Sequence, residues 1–167
     1  MKRLIVTVFG QDRPGIIAQV AGILFKHGCN LEDVSMTLLE GEFVMMLILS
    51  LSPSKLTLVQ KDLSKNLRKK GLQVYSHGLD SAKLRRGEKH RKGTSSYLIS
   101  AFGRDRTGIV SQVSRVLAKY GLNITDLNCR ILGQGRKSIY ALLLEVDIPK
   151  SFRLANLEQV LKQLGKK

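Results

Sequence analysis

The chain has 167 residues, with 28 lysines and arginines against 13 aspartates and glutamates, which gives a formal net charge of +15. A hydrophobic content of 43% is enough for one medium or two small buried cores, and it argues against a disordered polypeptide. The longest strongly apolar run, Phe43–Leu49, is too short to cross a bilayer, and no leader-like segment follows Met1. We therefore expect a cytoplasmic protein that makes no contact with membranes.

The sequence repeats itself after 93 residues. Residues 4–33 align with residues 97–126, and thirteen of the 30 aligned positions are identical. A repeat of this length indicates two homologous domains rather than a solenoid of short units. We predict a first domain over residues 1–80, a linker over residues 81–95 and a second domain over residues 96–167. The linker is rich in lysine and arginine and has little to bury.

The first repeat begins with a short apolar run, Leu4–Phe9, which ends at a glycine. This run suits a strand that is buried on both faces or lies at the centre of a sheet. After a loop with the sequence GQDRPG, apolar residues recur at spacings of three and four, which predicts an amphipathic helix that stops at Gly28. The residues on the apolar face of this helix are Ile16, Val20, Ile23 and Leu24.

Two strands, a second helix and a final strand follow in the first repeat. Leu31–Leu39 and Glu42–Leu51 flank a Glu-Gly turn and are predicted to form a hairpin. Ser54 stands before a helical apolar pattern and is expected to cap that helix. Leu72–Leu79 is predicted as the final strand. The apolar positions of the second helix are Leu56, Val59, Leu63 and Leu67.

The second repeat follows the same order, with a strand at Tyr97–Phe102, a helix that stops at Gly121, and a hairpin of Ile124–Leu132 with Lys137–Val146. Ser151 is expected to cap its last helix. A final strand is not visible, so the order is βαββα where the first repeat has βαββαβ. Two helices on one face of an antiparallel sheet predict an α+β protein of two ferredoxin-like domains.

The strand that is absent from the second repeat would lie beside Tyr97–Phe102 in a ferredoxin-like sheet. Apolar edges of this kind are normally covered, because unpaired N–H and C=O groups invite further pairing. We therefore expect another segment or another chain to cover this edge, in a two-domain sheet or in a homodimer.

The loop between the first strand and the first helix is the candidate binding site in each repeat. Two glycines there present free backbone N–H groups and the positive end of the helix dipole, which suits a carboxylate. The aspartate of the loop can cap the helix or bind an ammonium group, and the arginine can pair with a carboxylate or reach across an interface. The asparagine after the helix offers an amide donor and acceptor. The candidate residues are Gly10, Asp12, Arg13, Gly15, Ile16 and Asn30 in the first repeat, and Gly103, Asp105, Arg106, Gly108, Ile109 and Asn123 in the second.

Each of these residues also has a purely structural interpretation. The glycines are equally expected in any tight strand-to-helix turn, the aspartates are more often helix caps than ligands, and asparagine is common after a helix end. The repeats differ at Pro14 against Thr107 and at Cys29 against Leu122. These differences leave open that one copy binds a ligand while the other only supports the fold.

The two loop regions, VTVFGQDRPGIIAQVAGILFKHGCNLEDVS and ISAFGRDRTGIVSQVSRVLAKYGLNITDLN, resemble the ACT domain family. The resemblance covers nearly the whole chain apart from the linker. It implies small βαββαβ regulatory modules that bind an amino acid where two such domains meet, through this loop and the asparagine. Glycine or serine is the first guess for the effector, and a homodimer or higher homo-oligomer with an unidentified regulatory partner is implied. Two repeats without a catalytic domain are similar to the tandem ACT proteins related to the glycine cleavage system transcriptional repressor.

The sequence gives little support to catalytic or metal chemistry. The three histidines, His27, His77 and His90, have neither metal-ligand nor nucleophile-base spacings. The two cysteines, Cys29 and Cys129, belong to no CxxC pair, and a G-x-S-x-G motif is absent. We therefore expect a protein that is not an enzyme and that uses no cofactor and no metal.

Nucleic acid is the main alternative partner, because a net charge of +15 is typical of proteins that bind polyanions. RNA-binding modules of this topology stack bases on aromatic side chains of the central strands, but the third strands here carry only Phe43 and Tyr140. The alternative is therefore a basic ferredoxin-like module that contacts phosphates without reading sequence. Its contacts would come from the linker residues Arg85, Arg86, Lys89, Arg91 and Lys92.

Overall fold

The structure is a computed structural model that describes residues 1–79, 89–104, 106–133 and 138–165. The chain divides into two compact units, Met1–Arg85 and Arg86–Lys167. The described strands form two separate antiparallel sheets, one in each unit, and both units have the α+β ferredoxin-like architecture that the order of elements predicted.

The first unit contains four strands and two α-helices. Its sheet has the order β2-β3-β1-β4, so that β1 lies at the centre between β3 and β4. The hairpin of β2 and β3 turns at Glu40 and Gly41, which both have positive φ, as the Glu-Gly sequence predicted. The elements are β1 (Lys2–Gln11), α1 (Ile16–Lys26), β2 (Asn30–Leu39), β3 (Glu42–Leu51), α2 (Leu56–Arg68) and β4 (Gln73–Leu79).

The second unit contains three strands and two helices among its described residues. Its sheet has the order β5-β7-β6, and no strand of the described part of the chain pairs with the outer edge of β5. On β5 the side chains of Leu98 and Phe102 are 70% and 66% exposed. The segment or second chain that we expect to cover this edge stays a prediction. The elements are β5 (Thr94–Gly103), α3 (Ile109–Lys119), β6 (Asn123–Leu132), β7 (Ile139–Pro149) and α4 (Leu154–Gly165).

The first strand of the first repeat is buried on one face only, and the first strand of the second repeat has no fully buried residue. In β1, Leu4, Val6 and Val8 are buried, whereas Phe9 on the other face is exposed. The expectation of a strand buried on both faces is therefore wrong. The helices of each unit cover a single face of its sheet. The alternative, a position at the centre of a sheet, is confirmed for β1, but β5 is an edge strand among the described residues.

Both predicted serine caps of the second helices are wrong. A short 3₁₀ turn, Pro53–Lys55, includes Ser54, and α2 begins one turn later with Lys55 in the capping position and no side-chain cap. Ser54 Oγ lies 3.0 Å from the hydroxyl of Ser52 instead. Ser151 precedes the start of α4 by three residues. The proline before each serine starts a tight turn, and this turn delays the α-helix.

Residues at the end of the predicted linker lie against β7. His90 Nδ1 is 2.7 Å from Asp147 Oδ1, and the backbone N–H of Arg91 donates to Asp147 Oδ2 at 2.8 Å. Lys89 forms an ion pair with Glu145, so this cation is not free for phosphate. Burial alone would raise the pKa of Asp147, but the hydrogen bonds from Arg91 and His90 outweigh it and hold this pKa below its ordinary range. Arg85 and Arg86 lie outside the described residues.

Candidate functional site

Helix α1 begins at a glycine with a left-handed backbone. Gly15 is the N-cap residue with a φ of 93°, and no side chain caps the first turn. The predicted capping role of Asp12 is therefore wrong. Its side chain is exposed, and its backbone N–H donates to the carbonyl of Gly41 at 2.8 Å. Because the side chain of Ile16 is buried, only its main chain can face a ligand at this helix end.

The remainder of the first loop is held against the turn that joins α2 to β4. Gly10 has a φ of 149°, and a Cβ atom placed there would lie 3.2 Å from the carbonyl oxygen of Gly71 and 3.1 Å from Leu72 Cδ2. The guanidinium of Arg13 donates a hydrogen bond to the carbonyl of Lys70. These contacts account for the glycine and the arginine of the first loop without any ligand.

The second loop starts its helix in the same way as the first, but Gly103 lacks the positive φ of Gly10 and the described residues of this loop lack the contacts above. Gly108 is the N-cap residue of α3 with a φ of 92°, again without a side-chain cap. A Cβ atom at Gly103 would meet no atom within 4 Å. The side chain of Arg106 is exposed and makes no hydrogen bond or ion pair within the described residues. Among the described residues, therefore, nothing pairs with the guanidinium of Arg106 or fills the space beside Gly103.

An open depression of about 440 Å³ lies at this second loop. The first turn of α3 forms one wall, and its main-chain N–H groups lack a side-chain cap. The guanidinium of Arg106 supplies a positive charge at the same place, so the depression combines the two kinds of donor that a carboxylate prefers. Asp105 falls outside the described residues. The lining residues that matter for this chemistry are Arg106, Gly108, Ile109, Ser111 and Tyr140.

Tyr140 is a lining residue that sequence reasoning missed. It pairs with Gly103 across the second sheet, and Phe43 occupies the same position opposite Gly10 in the first. Phe43 is only 1% exposed and belongs to the first core, whereas Tyr140 is half-buried and reaches the depression. A comparison of the two hairpins could have indicated this residue, because the second has the more polar tyrosine where the first has a phenylalanine.

The two candidate asparagines lie at the other end of each sheet. Asn30 pairs with Ser50 of β3, whereas Gly10 pairs with Phe43 of the same strand. Seven residues of extended strand separate these positions, which is roughly 23 Å. Asn123 and Gly103 are separated in the same way along β7, because they pair with Asp147 and Tyr140. One unit by itself therefore does not bring its loop and its asparagine to one small ligand.

His27 has a structural role between the two helices of the first unit. Its Nε2 atom lies 2.8 Å from Asp62 Oδ2 on α2, and this hydrogen bond lowers the pKa of Asp62. The carbonyl of His27 accepts a hydrogen bond of 2.9 Å from Lys55 Nζ. Across the described ranges, no group of three histidine, cysteine, aspartate or glutamate side chains could hold a metal ion. The helices in those ranges are all too short or too polar to span a bilayer.

Comparison with known families gives a match over both units. The model of the ACT domain family matches residues 2–77 and residues 95–167. A UPF0237 protein of Methanopyrus kandleri is 37% identical over 76 residues, which cover 44% of this chain and 84% of that relative. The glycine cleavage system transcriptional repressor of Escherichia coli is 37% identical over 60 residues, which cover 36% of this chain and 32% of the repressor.

A solved structure is similar to the chain over almost its whole length. The crystal structure of an unknown protein from Galdieria sulphuraria superposes with a TM-score of 0.76 and 26% sequence identity. The superposition covers 99% of this chain and 90% of that chain. The tandem arrangement is thus shared with a protein of solved structure.

Proposed function

Because the chain belongs to the ACT domain family, we propose that it is a regulatory protein that binds a small amino acid, with glycine and serine as the first candidates. The name of the Escherichia coli relative, which refers to glycine cleavage and to repression of transcription, supports this choice. In this proposal the protein is cytoplasmic, acts without catalysis, and changes the behaviour of a partner protein when the amino acid binds.

The open depression at the second loop is the observation that carries the proposal. An amino-acid carboxylate placed there would accept hydrogen bonds from the first turn of α3 and from the guanidinium of Arg106. The left-handed Gly108 has no Cβ atom, so a ligand can approach the main chain closely. The first loop has the same N-terminal glycine, but Arg13 and Gly10 are already engaged by the turn after α2. We therefore assign the stronger site to the second loop.

A second copy of the chain completes the site in this proposal. β2 and β6 are edge strands of the two sheets. Each runs in the same direction as the first strand of its unit, so the asparagine at its start lies at the end of the sheet opposite the loop. Antiparallel pairing of two such edges would bring the asparagine of one unit to the same end of the joint sheet as the loop of the other. The amide of Asn30 or Asn123 could then hydrogen-bond the ligand that the opposite loop holds.

Edge strand β2 also carries the apolar side chains that such pairing would bury. Val34, Met36 and Leu38 lie opposite Leu47, Met45 and Phe43 of β3, and opposite residues share one face of a sheet. Their β3 partners are buried under the helices, whereas the three β2 side chains are exposed. A ligand that binds only when two edges are paired would stabilise the paired state by its differential affinity for that state. This linkage is the proposed route from amino acid to partner.

A thermal-shift screen of the protein amino acids at millimolar concentration tests the proposal. We expect glycine or L-serine to raise the unfolding temperature of the full chain, because a ligand that binds only the native state must stabilise it. A double variant, Asn30→Ala with Asn123→Ala, should lose most of that response while its unfolding temperature without ligand stays close to that of the unmodified chain.

D-serine serves as the chemical control, since it has the same groups in the opposite arrangement. The proposal fails if no amino acid raises the unfolding temperature, or if L-serine and D-serine give the same shift as every other amino acid.

A further inference from the structure

The outward face of α2 carries a row of cations that the amino-acid site does not use. Lys61, Lys65 and Lys69 follow one another at intervals of four residues, and Arg68 lies beside them. At 1.5 Å per residue, the row spans roughly 12 Å along the helix. The four side chains are exposed and, together with Thr57 and Ser64, line one shallow depression of about 650 Å³.

These cations are not neutralised within the part of the chain that the structure describes. None of the four forms an ion pair there. The single acidic residue of α2, Asp62, is a helical neighbour of Lys65, but its carboxylate is hydrogen-bonded to His27 and Asn66 and forms no ion pair with these lysines. The face therefore has a local positive charge, although the first repeat contributes only a small part of the total charge of +15.

The equivalent helix of the second unit does not share this property. The outward face of α4 carries Glu158 and Lys162, whose side chains form an ion pair of 3.4 Å four residues apart. Opposite charges four residues apart keep a helix surface polar and also stabilise the helix slightly. The run of like charges on α2 costs mutual repulsion, which a bound polyanion would remove.

The chemistry of the lining residues identifies the class of partner. Lysine, arginine, serine and threonine side chains are the groups that contact phosphates in complexes with nucleic acids. No aromatic side chain lines the depression, so unpaired bases have nothing to stack on. No apolar anchor lines it either, whereas the centre of a protein interface is usually poor in lysine and rich in such anchors. The face thus suits a duplex that presents its phosphates.

We propose that the outward face of α2 docks on the phosphate backbone of double-stranded DNA without reading its sequence. Three lysines at about 6 Å intervals can each meet a phosphate, since one strand of the duplex carries a phosphate about every 3.4 Å of its axis. The contact is distinct from the amino-acid site at the second loop and does not depend on it. It also uses other residues than the linker contacts that the sequence suggested. One of those linker residues, Lys89, forms an ion pair with Glu145.

Fluorescence anisotropy with a short labelled DNA duplex of mixed sequence tests this proposal on the full chain without amino acid. The test variant combines Lys61→Gln, Lys65→Gln and Lys69→Gln. The control variant combines Lys119→Gln, Lys150→Gln and Lys162→Gln, which remove the same charge from exposed positions of the second unit. Measurements at about 50 and about 200 mM salt give the salt dependence of the binding constant.

We expect the unmodified chain to bind the duplex, with an affinity that falls steeply as salt rises. The test variant should bind at least about tenfold more weakly at the lower salt concentration, and its slope against salt should be shallower by up to about three. The control variant should retain most of the affinity and the original slope.

Three results would overturn the proposal. The unmodified chain could fail to bind the duplex. The two triple variants could weaken binding equally, which would show an effect of net charge rather than of α2. A single strand of the same sequence could bind as well as the duplex or better, which would assign the surface to another class of nucleic acid.

Discussion

Replacement of Gly10 by alanine is expected to lower the free energy of unfolding of the first unit by about 1–3 kcal/mol. Gly10 has a φ of 149°, and the added Cβ atom would lie 3.2 Å from the backbone oxygen of Gly71, which cannot move aside as a flexible side chain can. The equivalent change, Gly103→Ala, should alter the stability of the second unit by less than about 0.5 kcal/mol, because it meets no atom within 4 Å.

Urea unfolding followed by circular dichroism gives the size of both effects. Hydrogen exchange measured on peptides from β1 and β5 assigns each effect to its unit. Equal losses in the two variants would contradict the account, because they would show that both glycines serve the fold in the same way. A harmless Gly10→Ala would mean that the first loop is as open as the second.

Replacement of Asp147 by asparagine is expected to lower the stability of the second unit by about 1–2 kcal/mol near neutral pH. The buried carboxylate accepts hydrogen bonds from the backbone of Arg91 and from the side chain of His90. Because the His90 side chain is partly exposed, the loss of stability stays moderate. The folded state lowers the pKa of Asp147, so the carboxylate contributes stability above its ordinary pKa range. That contribution is lost as the pH falls through the lowered pKa of the folded state. The variant should therefore lose less stability on acidification than the unmodified chain.

Urea unfolding at about pH 7 and about pH 3 measures this difference. Asp33→Asn provides the matched control, because the side chain of Asp33 is exposed on β2 and makes no hydrogen bond or ion pair within the described residues. Glu145 also has a lowered pKa, through Lys89, and it is present in both proteins, so the difference between them isolates Asp147. The interpretation is wrong if the Asp147 variant and the unmodified chain show the same loss on acidification.

The order of helices and strands could be predicted because local signals and periodicity agree. The glycines after α1 and α3 have the left-handed backbone expected one residue beyond a helix cap, and the hairpin turns at Glu40 and Gly41 as predicted. The serine caps could not be predicted correctly, because a proline and a serine are compatible with either an α-helix or a short 3₁₀ turn. Only tertiary packing decides between them.

The candidate site was only partly predictable for a similar reason. A repeated motif predicts the same backbone in both copies, and Gly15 and Gly108 do have almost equal φ values of 93° and 92°. The motif does not predict that Arg13 reaches the carbonyl of Lys70, because Lys70 lies 57 residues away in the chain. It also does not show that the loop and the asparagine lie at opposite ends of one sheet, since that separation follows from strand pairing.

The two loops differ in the contacts that surround them, and this difference suggests separate roles for the two units. The turn between α2 and β4 occupies the space beside Gly10, and the described part of the second unit has no counterpart of β4. The absence of that strand among the described residues thus accompanies an exposed β5 edge and an open second loop. In our proposal the first unit mainly supports the assembly, and the second loop holds the amino acid.

Isothermal titration of glycine and of L-serine into Arg106→Gln and Arg13→Gln tests this central claim most directly. The account predicts that Arg106→Gln weakens binding at least about tenfold, because a charge-assisted contact to the carboxylate is lost. It predicts that Arg13→Gln binds with nearly the affinity of the unmodified chain, because Arg13 is engaged by the carbonyl of Lys70. The opposite pattern, with Arg13 required and Arg106 dispensable, would contradict the assignment of the site to the second loop.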